Sequence, residues 1–188
     1  MQDPTKYLAK MLKTLRKEHG LSLDGAATKT GISKAMLGQI ERGESSPTTA
    51  TLWKIATGFN TSISSLTEPI PEGAEETLIR DADEVRQLAR GDGTMVAPLF
   101  PYEQRFGFEY MELTFLAGFE RLSEAHEPGV VEYITVISGS MEVFVDDIWH
   151  DLQPGKSIRF RGDKPHGYRN KTDEDTVTLS VIHYPRRP

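Results

Sequence analysis

The chain has 188 residues, enough for one or two domains with hydrophobic cores of their own. It contains no cysteine, which excludes disulfides, zinc fingers and thiol redox sensing and is compatible with a reducing cytoplasm of bacterial type. No apolar run approaches the ~20 residues that a membrane-spanning helix needs, so the sequence predicts a cytoplasmic protein without a membrane segment.

The net charge of −6 is divided unevenly along the chain. Residues 1–70 hold nine Lys and Arg against six Asp and Glu, a net charge of +3. Residues 71–188 hold thirteen against twenty-two, a net charge of −9. A basic module joined to an acidic one is the charge pattern expected of a nucleic-acid-binding domain fused to a second domain with another task.

Regularly spaced apolar residues predict short helices in the first 60 residues. The predicted helices run from about Thr5 to His19, from Ser22 to about Thr30, from Ser33 to about Arg42, and onward from Thr48 or Thr49. Ser22 and Ser33 can accept hydrogen bonds from amides that open their helices, and Gly43 ends the third helix. Short helices around the glycine turn at Gly31 predict a helix-turn-helix.

The third predicted helix has the features of a DNA-recognition helix. At about 100° per residue, Met36, Leu37 and Ile40 point toward the other helices. The opposite side carries small residues that permit close approach and polar groups that can bind bases and phosphates: Ala35, Gly38, Gln39 and Arg42. A helix of barely two and a half turns is too short to be stable alone, so we expect it to be packed against its neighbours.

Residues 5 to 67 resemble the repressor-type (XRE-like) helix-turn-helix of phage repressors and bacterial regulators. The pieces G-I-S, Q-I-E-R-G, S-P-T and L-x-x-I-A occur in the order typical of that family. The resemblance implies an all-α, lambda-repressor-like bundle in residues 1–67, with the motif at residues 23–42. It also implies a structural salt bridge between Arg16 and Glu41. Leu23 departs from the family, which often has a polar residue at this position.

The same resemblance implies that double-stranded operator DNA is a partner. The residues expected to contact bases or flanking phosphates are Ser33, Lys34, Ala35, Gly38, Gln39 and Arg42. A net charge of +3 is small for a DNA-binding domain, so we expect a homodimer that places two recognition helices about one helical turn of DNA apart. A helical protein-binding module is the alternative interpretation.

After residue 67 the composition of the chain changes. Residues 68–76, EPIPEGAEE, contain two prolines, one glycine and four acidic residues and predict a linker. Beyond it, apolar runs and turn signals predict strands near residues 77–80, 85–88, 95–99, 106–116, 131–138, 141–145, 157–160 and 176–184. Residues 148–151 are predicted to form a turn. Many short strands without helices favour a sandwich or barrel.

Residues 95 to 185 resemble the cupins, which are double-stranded β-helix barrels related to jelly rolls. The matching positions of the two cupin motifs are His126, Glu132 and Gly139, then Gly155, His166 and Asn170. The main departure from the cupin motifs is Pro128, because most metal-binding cupins have a second histidine there. The resemblance implies a two-domain α + β protein in which residues 77–188 form an all-β cupin domain for ligand sensing and dimerisation.

The resemblance also indicates a candidate site in the barrel. His126, Glu132 and His166 would supply two imidazoles and a carboxylate, a ligand set that suits Zn, Fe(II), Ni or Mn. The same side chains could instead line a pocket that binds an organic effector directly, and both interpretations remain open. Tyr168 shares the parity of His166 and is expected in the same effector pocket. His183 aligns with an apolar strand face, either as a core histidine or as a further member of that pocket.

Two classes of function follow from these modules. In the first, the protein is a transcriptional regulator in which an effector binds the cupin barrel and changes the affinity of the dimer for its operator. In the second, it is a cupin oxygenase, because enzymes that act on phosphonates combine the same two modules and hold Fe(II) with two histidines and a glutamate. Pro128 replaces a histidine of those enzymes, and the third helix retains a complete DNA-facing pattern. The sequence therefore favours the regulator over the enzyme.

Overall fold

The computed structural model describes residues 4–68, 77–88 and 93–185. The chain divides into two compact units, residues 1–76 and 77–188. The predicted linker lies outside the described residues, except for Glu68 at its start. Within the described ranges, no helix is both long and apolar enough to cross a membrane.

Five helices form the described part of the first unit. They are α1 (Pro4–Glu18), α2 (Leu23–Thr30), α3 (Lys34–Glu41), α4 (Thr49–Phe59) and α5 (Ile63–Thr67). The predicted caps are confirmed, because Ser22 Oγ accepts a hydrogen bond from the Gly25 amide and Ser33 Oγ accepts one from the Met36 amide. Gly43 has a φ of +70°, so the chain leaves α3 through a left-handed residue that glycine adopts without strain.

The core of this unit places α3 against its neighbours. Leu37 and Ile40 of α3 are fully buried and belong to a cluster with apolar residues of α1, α2, α4 and α5. At its edge, Arg16 Nε lies 2.5 Å from Glu41 Oε1, and Arg16 Nη2 lies 2.8 Å from Oε2. The predicted salt bridge is therefore confirmed, and Arg16 Nη1 also donates to the Leu21 carbonyl at 3.0 Å. One side chain thus joins α1, the α1–α2 loop and α3.

The second unit is a barrel of two antiparallel sheets, preceded by one helical turn, α6 (Ala82–Val85). The strands are β1 (Gln87–Leu88), β2 (Thr94–Glu103), β3 (Phe108–Phe115), β4 (Glu120–Ser123), β5 (Val131–Ser138), β6 (Met141–Val145), β7 (Ile148–Leu152), β8 (Ser157–Arg161), β9 (His166–Arg169) and β10 (Thr176–His183). One sheet has the order β1-β2-β3-β10-β5-β8 and the other has the order β4-β9-β6-β7. Their inner faces meet, as shown by the stacked rings of Phe115 and Tyr168, 5.7 Å apart.

Several elements differ from the sequence prediction. Strands β4, β7 and β9 were not predicted, and residues 148–151 belong to β7 instead of a turn. The turn consists of Asp146 and Asp147, which both have positive φ and form a tight hairpin. β7 pairs with β6 directly after this hairpin. Residues 77–80 form no strand, and residues 82–85 form a helical turn in which Asp81 Oδ1 accepts a hydrogen bond from the Asp83 amide.

Strand β10 buries the face opposite to the one expected. Thr176, Thr178, Ser180 and Ile182 are buried, whereas Val177, Leu179 and Val181 are half-buried on the outer side. The prediction that His183 lies in the core or in the effector pocket is wrong, because His183 is exposed at the end of this outer face. The physical reason is that three of the inward residues of β10 are hydroxyl-bearing, so apolar parity does not mark the inner side of this strand.

Candidate DNA-binding helix and metal centre

The outer surface of α3 carries most of the residues expected at DNA. Five of the six are exposed: Ser33, Lys34, Ala35, Gln39 and Arg42. Gly38 is buried, and a Cβ there would lie 3.2 Å from Arg42 Nη1 and 3.8 Å from Leu23 Cδ1. Gly38 is therefore closely packed beneath the side chains of Arg42 and Leu23, and the prediction that it faces outward is wrong. Met36, predicted to face the core, is instead 41% exposed and extends the outer surface.

Both cationic side chains of this surface have acidic neighbours. Lys34 Nζ lies 2.8 Å from Asp24 Oδ2 at the start of α2. Arg42 Nε and Nη2 donate to the two carboxylate oxygens of Glu44 at 2.8 and 2.7 Å. The Arg42 guanidinium lowers the pKa of the Glu44 carboxyl, so Glu44 is ionised at neutral pH. A DNA phosphate that binds either cation must share it with a carboxylate or displace that carboxylate.

In the barrel, His126, Glu132 and His166 converge as the sequence predicts. Glu132 lies on β5 and His166 on β9, while His126 follows β4, with its amide hydrogen-bonded to the Gly162 carbonyl at 2.8 Å. Glu132 Oε1 lies 2.9 Å from His126 Nε2 and 3.4 Å from His166 Nε2. One ligand atom from each residue lies within 4.8 Å of the others.

Hydrogen bonds outside the trio orient its members. Tyr168, also on β9, donates from its hydroxyl to Glu132 Oε2 at 2.6 Å. His166 Nδ1 lies 2.8 Å from the Lys164 carbonyl oxygen, which can only accept a hydrogen bond. Nδ1 of His166 therefore carries a proton, and Nε2 is the ring nitrogen that faces Glu132 Oε1.

Burial and charge act against each other at this centre. Burial alone would lower the pKa of His126 and raise that of Glu132. Their mutual interaction outweighs burial, so the pKa of His126 is raised and the pKa of Glu132 is lowered. Burial, and then the negative charge of Glu132, raise the pKa of Tyr168 well above its usual value. Glu132 is therefore a carboxylate at neutral pH, and Tyr168 is a neutral hydrogen-bond donor to it.

Comparisons with known proteins agree with this architecture. Residues 12–66 match the family model described as helix-turn-helix, and residues 111–182 match the one described as cupin domain. The chain is 41% identical over 186 residues to the HTH-type transcriptional regulator SutR of Escherichia coli (strain K12), covering 99% of both chains. The chain belongs to this family of helix-turn-helix transcriptional regulators.

Solved structures give the same architecture for the family. The chain is 45% identical to an HTH_3 family transcriptional regulator from Vibrio cholerae, with a TM-score of 0.80 over 97% of this chain and 98% of that one. The predicted fold class, an all-α helix-turn-helix domain and an all-β cupin domain, is thereby confirmed. Hydroxypropylphosphonic acid epoxidase from S. wedmorenis is 20% identical, with a TM-score of 0.46 over 98% of this chain and 100% of that one. Similarity at that level carries no argument about activity.

The trio of this cupin domain fits a divalent metal ion. Ligand atoms about 2.1 Å from one ion and separated by ordinary coordination angles lie roughly 3.0–3.4 Å from one another. The 2.9 and 3.4 Å separations at Glu132 Oε1 are close to that range. Oε1 is buried, and no donor among the described residues makes a well-aligned hydrogen bond to it. A cation shared by Glu132 Oε1 and the two imidazole nitrogens would satisfy this buried oxygen.

The cupin interior also contains groups that sequence reasoning missed. Glu109 on β3 is fully buried and accepts a hydrogen bond from the Tyr184 hydroxyl at 2.5 Å. Arg121 on β4 pairs with Tyr168 in the ladder, so both side chains lie on the inner face of the sheet. Gly162 lies against the trio, because a Cβ there would lie 2.8 Å from Glu132 Oε1. A glutamate within an apolar strand is normally expected to face water, so no sequence signal marked Glu109 as internal.

Proposed function

We propose that this protein is a homodimeric, operator-binding transcriptional regulator whose cupin domain binds a small-molecule effector at a divalent metal ion. The observation that carries the proposal is the convergence of His126, Glu132 and His166 inside a chain whose other unit exposes a recognition helix. The kinship with HTH-type transcriptional regulators supports the same function.

DNA binding follows from the shape and chemistry of α3. The helix is held from behind by Leu37 and Ile40, while Ala35 and Gln39 lie outward. Small side chains allow close approach to the floor of the major groove, and an amide such as Gln39 can donate to and accept from one base edge. Lys34 and Arg42 flank this surface and supply the positive charge for phosphates.

Replacement of Gln39 by alanine is expected to weaken operator binding by about 1–3 kcal/mol and to relax the preference at one base pair. The operator would first be selected from random duplexes, and affinities would then be measured by fluorescence anisotropy on operator and random DNA. Gln104→Ala, the same change at an exposed residue of the barrel unit, should leave both affinities unchanged. Equal weakening of Gln39→Ala on operator and random DNA would show that Gln39 reads no base.

Metal binding follows from the trio and its supporting hydrogen bonds. His126, Glu132 and His166 would hold the ion, and the bound ion would supply Lewis-acidic positions that the three protein ligands leave open to an effector oxygen or nitrogen. Tyr168 fixes the orientation of the Glu132 carboxylate, and the Lys164 carbonyl fixes the tautomer of His166. Outer partners of this kind commonly change metal affinity by 10–100-fold.

Tyr168→Phe is therefore expected to weaken metal binding by about 10–100-fold while the ring keeps its packing. The affinity for Zn²⁺ would be measured by competition with a chromophoric chelator. The matched control is Tyr184→Phe, which removes the equivalent hydroxyl from Glu109. If both variants lose the same affinity, the effect comes from the barrel in general and not from the orientation of Glu132.

Regulation requires that the effector bind differently to the DNA-competent and DNA-incompetent states of the dimer. A coupling of about 1–3 kcal/mol would change operator affinity roughly 5- to 150-fold. One copy presents a recognition helix of only eight residues on a domain with a small positive charge, so it binds DNA weakly. Two copies are therefore needed. A two-fold dimer would present two such helices to a palindromic operator.

A further inference from the structure

We propose that the outer face of the six-stranded sheet, centred on Val181 of β10, is the surface through which two copies of this chain associate. The proposal rests on the homodimer proposed above and assigns the part of the fold that forms it.

The outer face of this sheet is mainly apolar over its three central strands, apart from Glu112, Thr114, Thr135 and His183. Cross-strand partners share a face, so the register of β3, β10 and β5 places the same side outward in all three strands. The apolar residues of this outer side include Tyr110, Tyr133, Ile137, Val177, Leu179 and Val181. Tyr133 and Ile137 are 44% and 50% exposed, which is unusual for large apolar side chains that share one sheet face.

The outer face of the four-stranded sheet is different. There Arg169 forms ion pairs with Glu142 and lies over the Trp149 ring at 3.7 Å. Glu120 and Asp151 continue this charged row on the strands at either side. Charged groups in such a row favour contact with water. The outer face of the six-stranded sheet has an ion pair, between Arg86 and Glu112, beside a centre that is mainly apolar, so of the two outer faces it is the better suited to burial.

One straight row across the six-stranded sheet is complementary to itself. Ladder pairing aligns Phe100, Tyr110, Val181, Tyr133 and Arg159 in that order. The row thus has stacked aromatic rings at one end, with centroids 6.0 Å apart, and an exposed guanidinium at the other. A two-fold axis parallel to β10 and above Val181 places Arg159 over Phe100 of the second copy and Tyr133 over its Tyr110. Arginine over an aromatic ring is a favourable cation–π arrangement.

The neighbouring row obeys the same symmetry. It contains Glu112, Leu179 and Thr135. The two-fold axis brings Leu179 opposite Leu179 of the second copy, and Glu112, which pairs with Arg86 of its own chain, opposite Thr135. No two like charges therefore face each other across these two rows. This charge pattern favours a second copy of the chain over a different partner.

The face is large enough for a specific dimer. Strands β3, β5 and β10 have eight residues each, or about 27 Å at ~3.4 Å per residue. The five strands from β2 to β8 span about 19 Å at ~4.8 Å between neighbours. Contact between two such faces buries roughly 1,000 Å² in total, which is the lower bound for specific protein–protein interfaces. This value treats the faces as flat, and the uneven surface of the side chains adds to it.

The experiment is cysteine crosslinking of the full chain without DNA or effector. The natural sequence has no cysteine, so Val181→Cys introduces a single thiol on the proposed axis. A short bismaleimide that spans the ~10 Å between packed sheets should convert this variant almost completely to a covalent dimer. The control is Leu122→Cys on the four-stranded sheet, where the side chain is 66% exposed. It should react with the reagent and remain monomeric on a denaturing gel.

A second variant removes the dimer instead of trapping it. Val181→Glu should sediment as a folded monomer, with an unchanged far-UV circular dichroism spectrum, at concentrations where the natural chain is a dimer. The proposal is overturned if the natural chain sediments as a monomer, or if Leu122→Cys crosslinks as well as Val181→Cys. It is also overturned if Val181→Cys fails to crosslink while the protein is dimeric. Because no operator or effector is used, these outcomes are independent of whether the protein regulates transcription.

Discussion

Replacement of Glu132 by glutamine should abolish stoichiometric binding of a divalent metal ion. The substitution keeps the size of the side chain but removes the negative charge that lies 2.9 and 3.4 Å from the two imidazole nitrogens. A neutral amide is a weak ligand, so we expect the affinity to fall by more than the roughly 100-fold that loss of an outer hydrogen bond can cause. Metal content after dialysis would be measured by elemental analysis, and affinity by titration calorimetry with Zn²⁺.

Glu109→Gln is the matched control for this experiment. Glu109 is a second fully buried carboxylate of the same barrel, but it lies outside the trio and accepts its hydrogen bond from Tyr184. The variant should keep one equivalent of metal with an affinity near that of the natural protein. Loss of metal in both variants, or in neither, would contradict the assignment of Glu132 as the anionic ligand.

Glu41→Ala should unfold the first unit at a much lower temperature. Arg16 and Glu41 side chains are only 16% and 8% exposed, so removal of the carboxylate leaves a largely buried guanidinium without its counter-charge. We expect a loss of about 3 kcal/mol, which corresponds to roughly 12–24 °C in the Tm of a unit of this size. Thermal unfolding followed by circular dichroism at 222 nm reports on this unit, because all described helices except α6 belong to it.

The control for this variant is Glu44→Ala. Glu44, three residues after Glu41, also pairs with an arginine, Arg42, but both side chains of that pair are more than half exposed. Solvent screens such a pair, so the Tm should stay within experimental error of the natural protein. A similar drop in Tm for the two variants would mean that the Arg16 pair has no special role in holding α3.

Most of the helical unit could be predicted from the sequence because its signals are local. Ser22 and Ser33 cap their helices through amides three residues away, and helix periodicity identifies Leu37 and Ile40 as core. Helix periodicity did not predict the burial of Gly38 or the exposure of Met36. Whether a residue at the border of a helix face is covered depends on side chains from other helices, such as Leu23, and periodicity does not contain that information.

The barrel was less predictable because its pairing is non-local. Strands β4 and β9 have four residues each and carry glycine and charged residues, so they show no alternation of their own. They are strands because each finds a partner far along the chain. The metal trio could be located from the cupin motif, whereas Glu109 and Tyr184 could not, since they lie 75 residues apart and meet only because β3 pairs with β10.

The ion pairs on the outer surface of α3 have a consequence for the ionic-strength dependence of DNA binding. Each phosphate contact by Lys34 or Arg42 releases a counterion from the duplex, but it also disturbs the pair with Asp24 or Glu44. Added salt weakens the phosphate contact and, by screening, also weakens the internal pair that competes with it. The two effects partly cancel, so the number of phosphate contacts would be underestimated if it were inferred from the salt dependence alone.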